Sequence, residues 1–186
     1  MNINQLLKTK QLRPLINVAI FAILILGFHF FFRWWAYGDN TYWPISGLVM
    51  PTYEFLANLL YTNSVWALKH LTSYEFTTDD TLRTIYIGKG YVAVNYGCSG
   101  LKQFLQWIVL MSFFPGPWKH KIWFIPTGLI VVHMVNIFRI SSLSVLLLYY
   151  PEYWHFTHDY ILRPFFYVIM FGMWVIWVEK FANKNA

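Results

Sequence analysis

The sequence predicts an all-α polytopic membrane protein with about four transmembrane helices, an external interfacial helix and a short β-hairpin. Three observations carry this. Only 12% of the 186 residues are charged and 58% are hydrophobic, whereas a soluble domain carries roughly 25% charged residues. Long apolar stretches recur along the chain, bounded by prolines or basic residues. The basic residues also gather at the ends of those stretches, as positive-inside topology determinants do. Lys8, Lys10 and Arg13 precede the first stretch, Lys119 and Lys121 lie between two others, and Lys180 and Lys184 close the last. The net charge of +6 therefore forms no single patch, and nucleic acid is not an expected partner.

The elements follow in order. After a cytoplasmic N-terminus (residues 1–14), residues 15–37 form span 1, an uncleaved anchor long enough for the roughly 30 Å hydrocarbon layer. Trp34, Trp35 and Tyr37 give it an aromatic edge, and His29 and Arg33, four apart, share one face. Residues 38–97 form an external segment that holds Asp39, Glu54, Glu75, Asp79 and Asp80. Within it, residues 51–70 are apolar but interrupted by Glu54, Asn58, Asn63 and Lys69, which suits a helix lying in the interface. Ile85 and Ile87, then Val92 and Val94, alternate on either side of Gly88, Lys89 and Gly90, the pattern of a β-hairpin. Span 2 (98–114) ends at Pro115-Gly116-Pro117, span 3 (122–150) at Pro151, and span 4 (161–181) starts beside Pro164, leaving a cytoplasmic tail (182–186). With the N-terminus inside, seven of the eight acidic residues fall outside and seven of the fourteen Lys and Arg fall inside. The protein is thus expected in the cell (inner or cytoplasmic) membrane.

This topology brings three distant polar residues to one level. Cys98, the single cysteine, opens span 2 at its outer end. Arg139 lies eighteen residues past Lys121, about 27 Å along a helix rising about 1.5 Å per residue. His158 precedes span 4 on the same side. A lone buried cysteine is ordinarily a small inert hydrophobe, but at a helix N-terminus the dipole and free N–H groups favour a thiolate. An arginine inside a span is costly and marks a functional site by default, and Asn136 shares its face. His155 has spacing as suitable as that of His158. Ser99, Gln103 and Gln106 make a polar stripe on span 2, with Lys102 beside it, which serves either as helix–helix glue or as the lining of a substrate groove. Arg163 also falls near the outer face. No metal set and no cofactor motif accompanies these residues.

"CSGL" (residues 98–101), after a β-like external segment and opening a membrane helix, resembles the exosortase/archaeosortase family of membrane cysteine transpeptidases. "NIFRI" (residues 136–140) is similar to that family's arginine motif, and His158 stands where the family has its third catalytic residue. The resemblance covers roughly residues 75–182 of a compact chain. It implies a transpeptidase that acts outside the membrane on exported proteins bearing a C-terminal tag of short motif, transmembrane helix and basic tail. It further implies Cys98 as nucleophile, His158 as proton carrier and Arg139 as oxyanion or tag anchor, with an acceptor that the sequence does not define. Membrane lipids are the remaining expected partner. The rival readings are a non-catalytic membrane scaffold with an inert Cys98, and a cysteine acyltransferase acting on lipid-linked groups.

Overall fold

A computed structural model describes residues 12–37 and 44–182. Lys8, Lys10, Asp39 and Lys184, with most of the expected N-terminus and tail, lie outside the described residues. Helix α1 (Arg13–Tyr37) carries the first apolar run. Leu15, Ile23, Phe30 and Trp34 on it stay largely exposed, an apolar surface suited to lipid. Helix α2 (Ser46–Leu71) buries Tyr53, Leu56, Ala57, Leu60, Tyr61, Ser64, Ala67 and Leu68. That spacing of three and four is one helical stripe.

The sheet contains the expected hairpin and one strand more. Strands β1 (Phe76–Asp79), β2 (Thr84–Ile87) and β3 (Gly90–Ala93) pair antiparallel in that order. Ile87 pairs with Gly90, so the loop is Gly88 and Lys89. Only Gly88 takes a positive φ, +58°, which fits a type II′ turn. Ile85, Val92 and Val94 point inward to one cluster with Leu60, Ile140 and Leu143, while Tyr86 and Tyr91 are exposed, their rings 6.0 Å apart and tilted by 44°.

Helix α3 (Leu101–Phe113) has 13 residues, about 20 Å by helix rise, and stands at the centre of the bundle. It supplies Trp107, Leu110 and Met111 to a core shared with Ile25, Phe124, Phe166 and Trp174. Helix α4 (Trp118–Tyr149) has 32 residues, so about 48 Å of helix exceeds a hydrocarbon layer of about 30 Å. The sheet rests on its last turns, where Leu147 lies against Gly90. At the opposite end Lys121 donates to the carbonyls of Ser112 (3.0 Å) and Phe114 (2.7 Å), closing the C-terminus of α3 with a cation. The last helical segment, α5 (Pro151–Ala182), absorbs Pro164 without unwinding. Thr157–Leu162 takes a π-helical register, and the α-helix resumes at Arg163 with the proline in its first turn.

The all-α membrane architecture read from composition is therefore the one observed. Among the described residues, three helices are long and apolar enough to cross a membrane, Pro14–Ala36, Trp118–Tyr149 and Pro151–Ala182. The segment expected as span 2 is the short α3, preceded by a turn at residues 98–100.

Helices α3 and α4 touch closely because Gly128 has no side chain. A Cβ there would stand 2.1 Å from the indole nitrogen of Trp107, which donates to the Ile125 carbonyl at 3.1 Å. Gly128→Ala should therefore destabilise the bundle by about 1–3 kcal/mol, read as a lower thermal midpoint in detergent. Gly172→Ala, where a Cβ meets nothing within 4 Å, should leave the midpoint unchanged or raised.

Candidate active site

Strand β3 runs on through Val94 into a single 3-10 turn, Tyr96–Cys98. The Asn95 side chain accepts from the Cys98 N–H at 3.2 Å, as a short polar side chain does at a helix start. The chain then reverses at Gly100, whose φ is +84°, a region that favours glycine. A Cβ on Gly100 would lie 2.9 Å from the Asn136 amide nitrogen. That amide, 1% exposed, instead donates to the Cys98 carbonyl at 2.8 Å. Cys98 thus stands three residues ahead of α3 and is partly buried. Ser99 is buried and accepts the Leu101 N–H at 3.3 Å.

Arg139 follows Asn136 by three residues on α4, so both side chains leave the helix on one face. Its residue is 6% exposed, and it lines the same cavity as Cys98. The carbon of the guanidinium also lies 6.0 Å from the centre of the Phe166 ring. Its Nε–H has no hydrogen-bond partner among the described residues. A buried arginine with an unused donor beside a thiol is poised to meet a new negative charge.

His158 comes from the π-helical turn of α5. Its Nδ1 lies 2.7 Å from a carboxylate oxygen of Asp159. An ionised carboxylate only accepts, so Nδ1 carries the proton and Nε2 keeps its lone pair. Trp154, four residues earlier, stacks on the imidazole at 5.0 Å and 3°. Asp159 also pairs with Arg163 at 3.2 Å. The ring is therefore fixed in plane by a carboxylate and in tilt by an indole.

Cys98, Arg139, His158, Gln103 and Arg163 line one cavity of about 1040 Å³ at the sheet end of the bundle. His29, Arg33 and Lys102 line it as well, and Lys102 donates to the His29 Nδ1 at 3.0 Å. Among the described residues, four of the lining side chains are Lys or Arg and none is acidic, so this lining favours anionic charge. The polar stripe of span 2 divides. Gln103 faces the cavity, whereas buried Gln106 donates to the Ile25 carbonyl at 3.1 Å and joins α3 to α1. His155 is exposed and packs edge-on against Trp154. Among the described residues no three His, Cys, Asp or Glu side chains gather as a metal site.

Two supporting features escaped the sequence reading. Asp159 and Trp154 hold His158, and their signal was available: one adjoins the histidine, the other precedes it by four residues on a helix. The second feature anchors the Cys98 turn from outside the bundle. Arg83, at φ +50°, pairs with Glu54, donates to Asn58 at 3.1 Å and lies 5.7 Å from the Tyr96 ring centre. The Tyr96 hydroxyl donates to Glu54, and that bond to a carboxylate holds the phenol above its ordinary pKa range. The turn carrying Cys98 is thereby tied to α2 on one side and to α4 on the other.

Fold and site together define a multi-pass membrane protein whose thiol, guanidinium and imidazole share one cationic cavity. The model of the transmembrane exosortases (Exosortase_EpsH) matches residues 5–175, and the chain belongs to that family. No curated protein and no solved structure matches it.

The Asn136 contact invites a direct test. Asn136→Ala leaves the Cys98 carbonyl without this donor, which should cost about 1–3 kcal/mol. The thermal midpoint in detergent should fall, and amides at residues 96–100 should exchange hydrogen faster than in the wild type.

Proposed function

We propose that the protein is a cysteine transpeptidase that cleaves a C-terminal sorting tag from exported proteins at the outer face of the cell membrane. The observation that carries this reading is the shared cavity of Cys98, Arg139 and His158 in a chain of the transmembrane exosortase family. The Cys98 thiolate attacks the scissile carbonyl carbon, and the carbonyl π electrons move to oxygen. Arg139, whose Nε–H has no partner among the described residues, stabilises that oxyanion. As the oxyanion collapses, the C–N bond breaks and the leaving amine takes a proton from His158, which had received it from the thiol. A thioester on Cys98 results. An acceptor nucleophile then gives its proton to the His158 Nε2, attacks the thioester and restores the thiol. Asp159 keeps Nε2 free for both transfers.

The cavity's cationic lining supports binding of a substrate whose reacting group becomes negative. Gln103 and Arg163 would contact the tag, while Ser99, Asn136 and Gln106 act through the placement of Cys98 and α3. The outward orientation rests on the distribution of charged residues along the sequence.

Cys98→Ala should insert normally and accumulate uncleaved, tag-bearing precursor, seen as a larger band on a gel. With wild-type protein, acid quenching and mass spectrometry should find the substrate joined to Cys98 as a hydroxylamine-labile thioester. Processing at the wild-type rate by Cys98→Ala would remove the mechanism.

Orientation has its own test. A membrane-impermeant maleimide should label Cys98 in intact spheroplasts, and labelling only after lysis would place the cavity in the cytoplasm. Arg139→Lys keeps the charge but loses the planar set of donors, so processing should fall roughly 100-fold. An Arg139→Lys variant as active as the wild type would assign the arginine a purely structural role.

A further inference from the structure

We propose that the free edge of β3 is the docking strand for the substrate, and that the peptide flanking the scissile bond adds to the sheet as a fourth, extended strand. This rests on reading Cys98 as a peptide-cleaving nucleophile, and it says how that substrate is held.

The register of the sheet decides which backbone groups of β3 are free. Val94 donates its N–H to the Arg83 carbonyl at 2.9 Å, so residues 83 and 94 form a hydrogen-bonded pair. In an antiparallel ladder such pairs alternate with non-bonded ones. With Ile85 opposite Val92 and Ile87 opposite Gly90, those pairs are bonded, whereas Tyr86–Tyr91 and Thr84–Ala93 are not. The backbone N–H and C=O groups of Tyr91 and Ala93 therefore point away from β2. The sheet ends at β3, and among the described residues no backbone group bonds to Tyr91 or Ala93 from the other side. Two donors and two acceptors face outward in a row, a template for another strand.

That edge opens on the right place. Tyr91, Val92 and Ala93 line the same cavity as Cys98, Arg139 and His158, and only four residues separate Ala93 from Cys98. The other free edge, on β1, lies across the sheet and lines a different groove, one without the thiol. An extended peptide is the occupant that fits. Its main chain satisfies the four outward groups, its side chains alternate between the sheet's two faces, and its scissile carbonyl is carried toward the thiol. A helical tag would satisfy none of these groups, because its own backbone bonds are internal. The tag's membrane helix must accordingly end before the cavity.

The probe is a secreted fluorescent reporter fused to the C-terminal tail of an exported protein from the same genome, chosen because its precursor accumulates in Cys98→Ala cells. Failure to find any such protein would overturn the transpeptidase reading itself. Given the probe, Ala93→Pro deletes one outward N–H while sparing the ladder to β2, a position where an edge strand tolerates proline. The KM for the reporter should rise about tenfold with little change in kcat, and Ala93→Ser, which restores the N–H, should recover processing. A second measurement covers a proline variant that fails to insert. In a Cys98→Ala, Ala93→Cys protein, single cysteines scanned along the tag should be joined by a short bifunctional thiol reagent at alternate positions. Crosslinking with a period of three to four, or at no position, would overturn strand addition, as would wild-type KM in an inserted Ala93→Pro protein. In either case precursor accumulation in Cys98→Ala would leave the transpeptidase reading standing.

Discussion

One hydrogen bond ties the cavity together, from the Asn136 amide to the Cys98 carbonyl at 2.8 Å. It joins a turn made by the sheet to the middle of a membrane helix. Its length requires a glycine at position 100, since a Cβ there would occupy the amide's space. It also fixes Cys98 against the helix face that carries Arg139, one turn farther along. Without that bond the thiol-bearing turn would depend on the Glu54, Arg83 and Tyr96 cluster alone, which is partly exposed and so contributes little by itself. Buried and exposed anchors act on opposite sides of the turn, and together they hold the nucleophile between them.

The second constraint is electrostatic. Burying an arginine in an apolar bundle is expensive, and among the described residues this one has an aromatic face and shares its cavity with a thiol, with no carboxylate in the lining. The neighbouring cations Arg33, Lys102 and Arg163 add to the cost. A fold optimised only for stability would replace or neutralise these groups. Retaining them in one cavity makes sense if a negative charge forms or binds there during turnover. Asp159 belongs to the same logic, since it pairs with Arg163 and orients His158 without lining the cavity.

Much of this was legible in the sequence, for physical reasons. Lipid imposes composition and length on helices, so the long apolar runs at residues 15–37 and 122–150 could be read directly. The alternation of Ile85 and Ile87 with Val92 and Val94 located the hairpin because one face of the sheet is buried. Cys98, Arg139 and His158 could be placed at one level from the order of the spans, with helix rise setting the depth of Arg139. What could not be read depends on tertiary contact. The start of α3 could not be read because Cys98 and Ser99 are compatible with an apolar run, and only the turn at Gly100 shows where the helix begins. Gln103 and Gln106 looked equivalent, yet one faces the cavity and the other bonds to α1. Strand β1 was missed because "FTTD" has no strong alternation, and it forms by pairing with β2.

The central claim is that thiol, guanidinium and imidazole work as one unit in one cavity. A double-mutant cycle on reporter cleavage, with Arg139→Lys and His158→Ala singly and together, tests this most directly. Groups that act in one step are non-additive, so the double variant should cleave about as slowly as the slower single variant. Losses that multiply would contradict the account, because they would mean that Arg139 and His158 contribute independently.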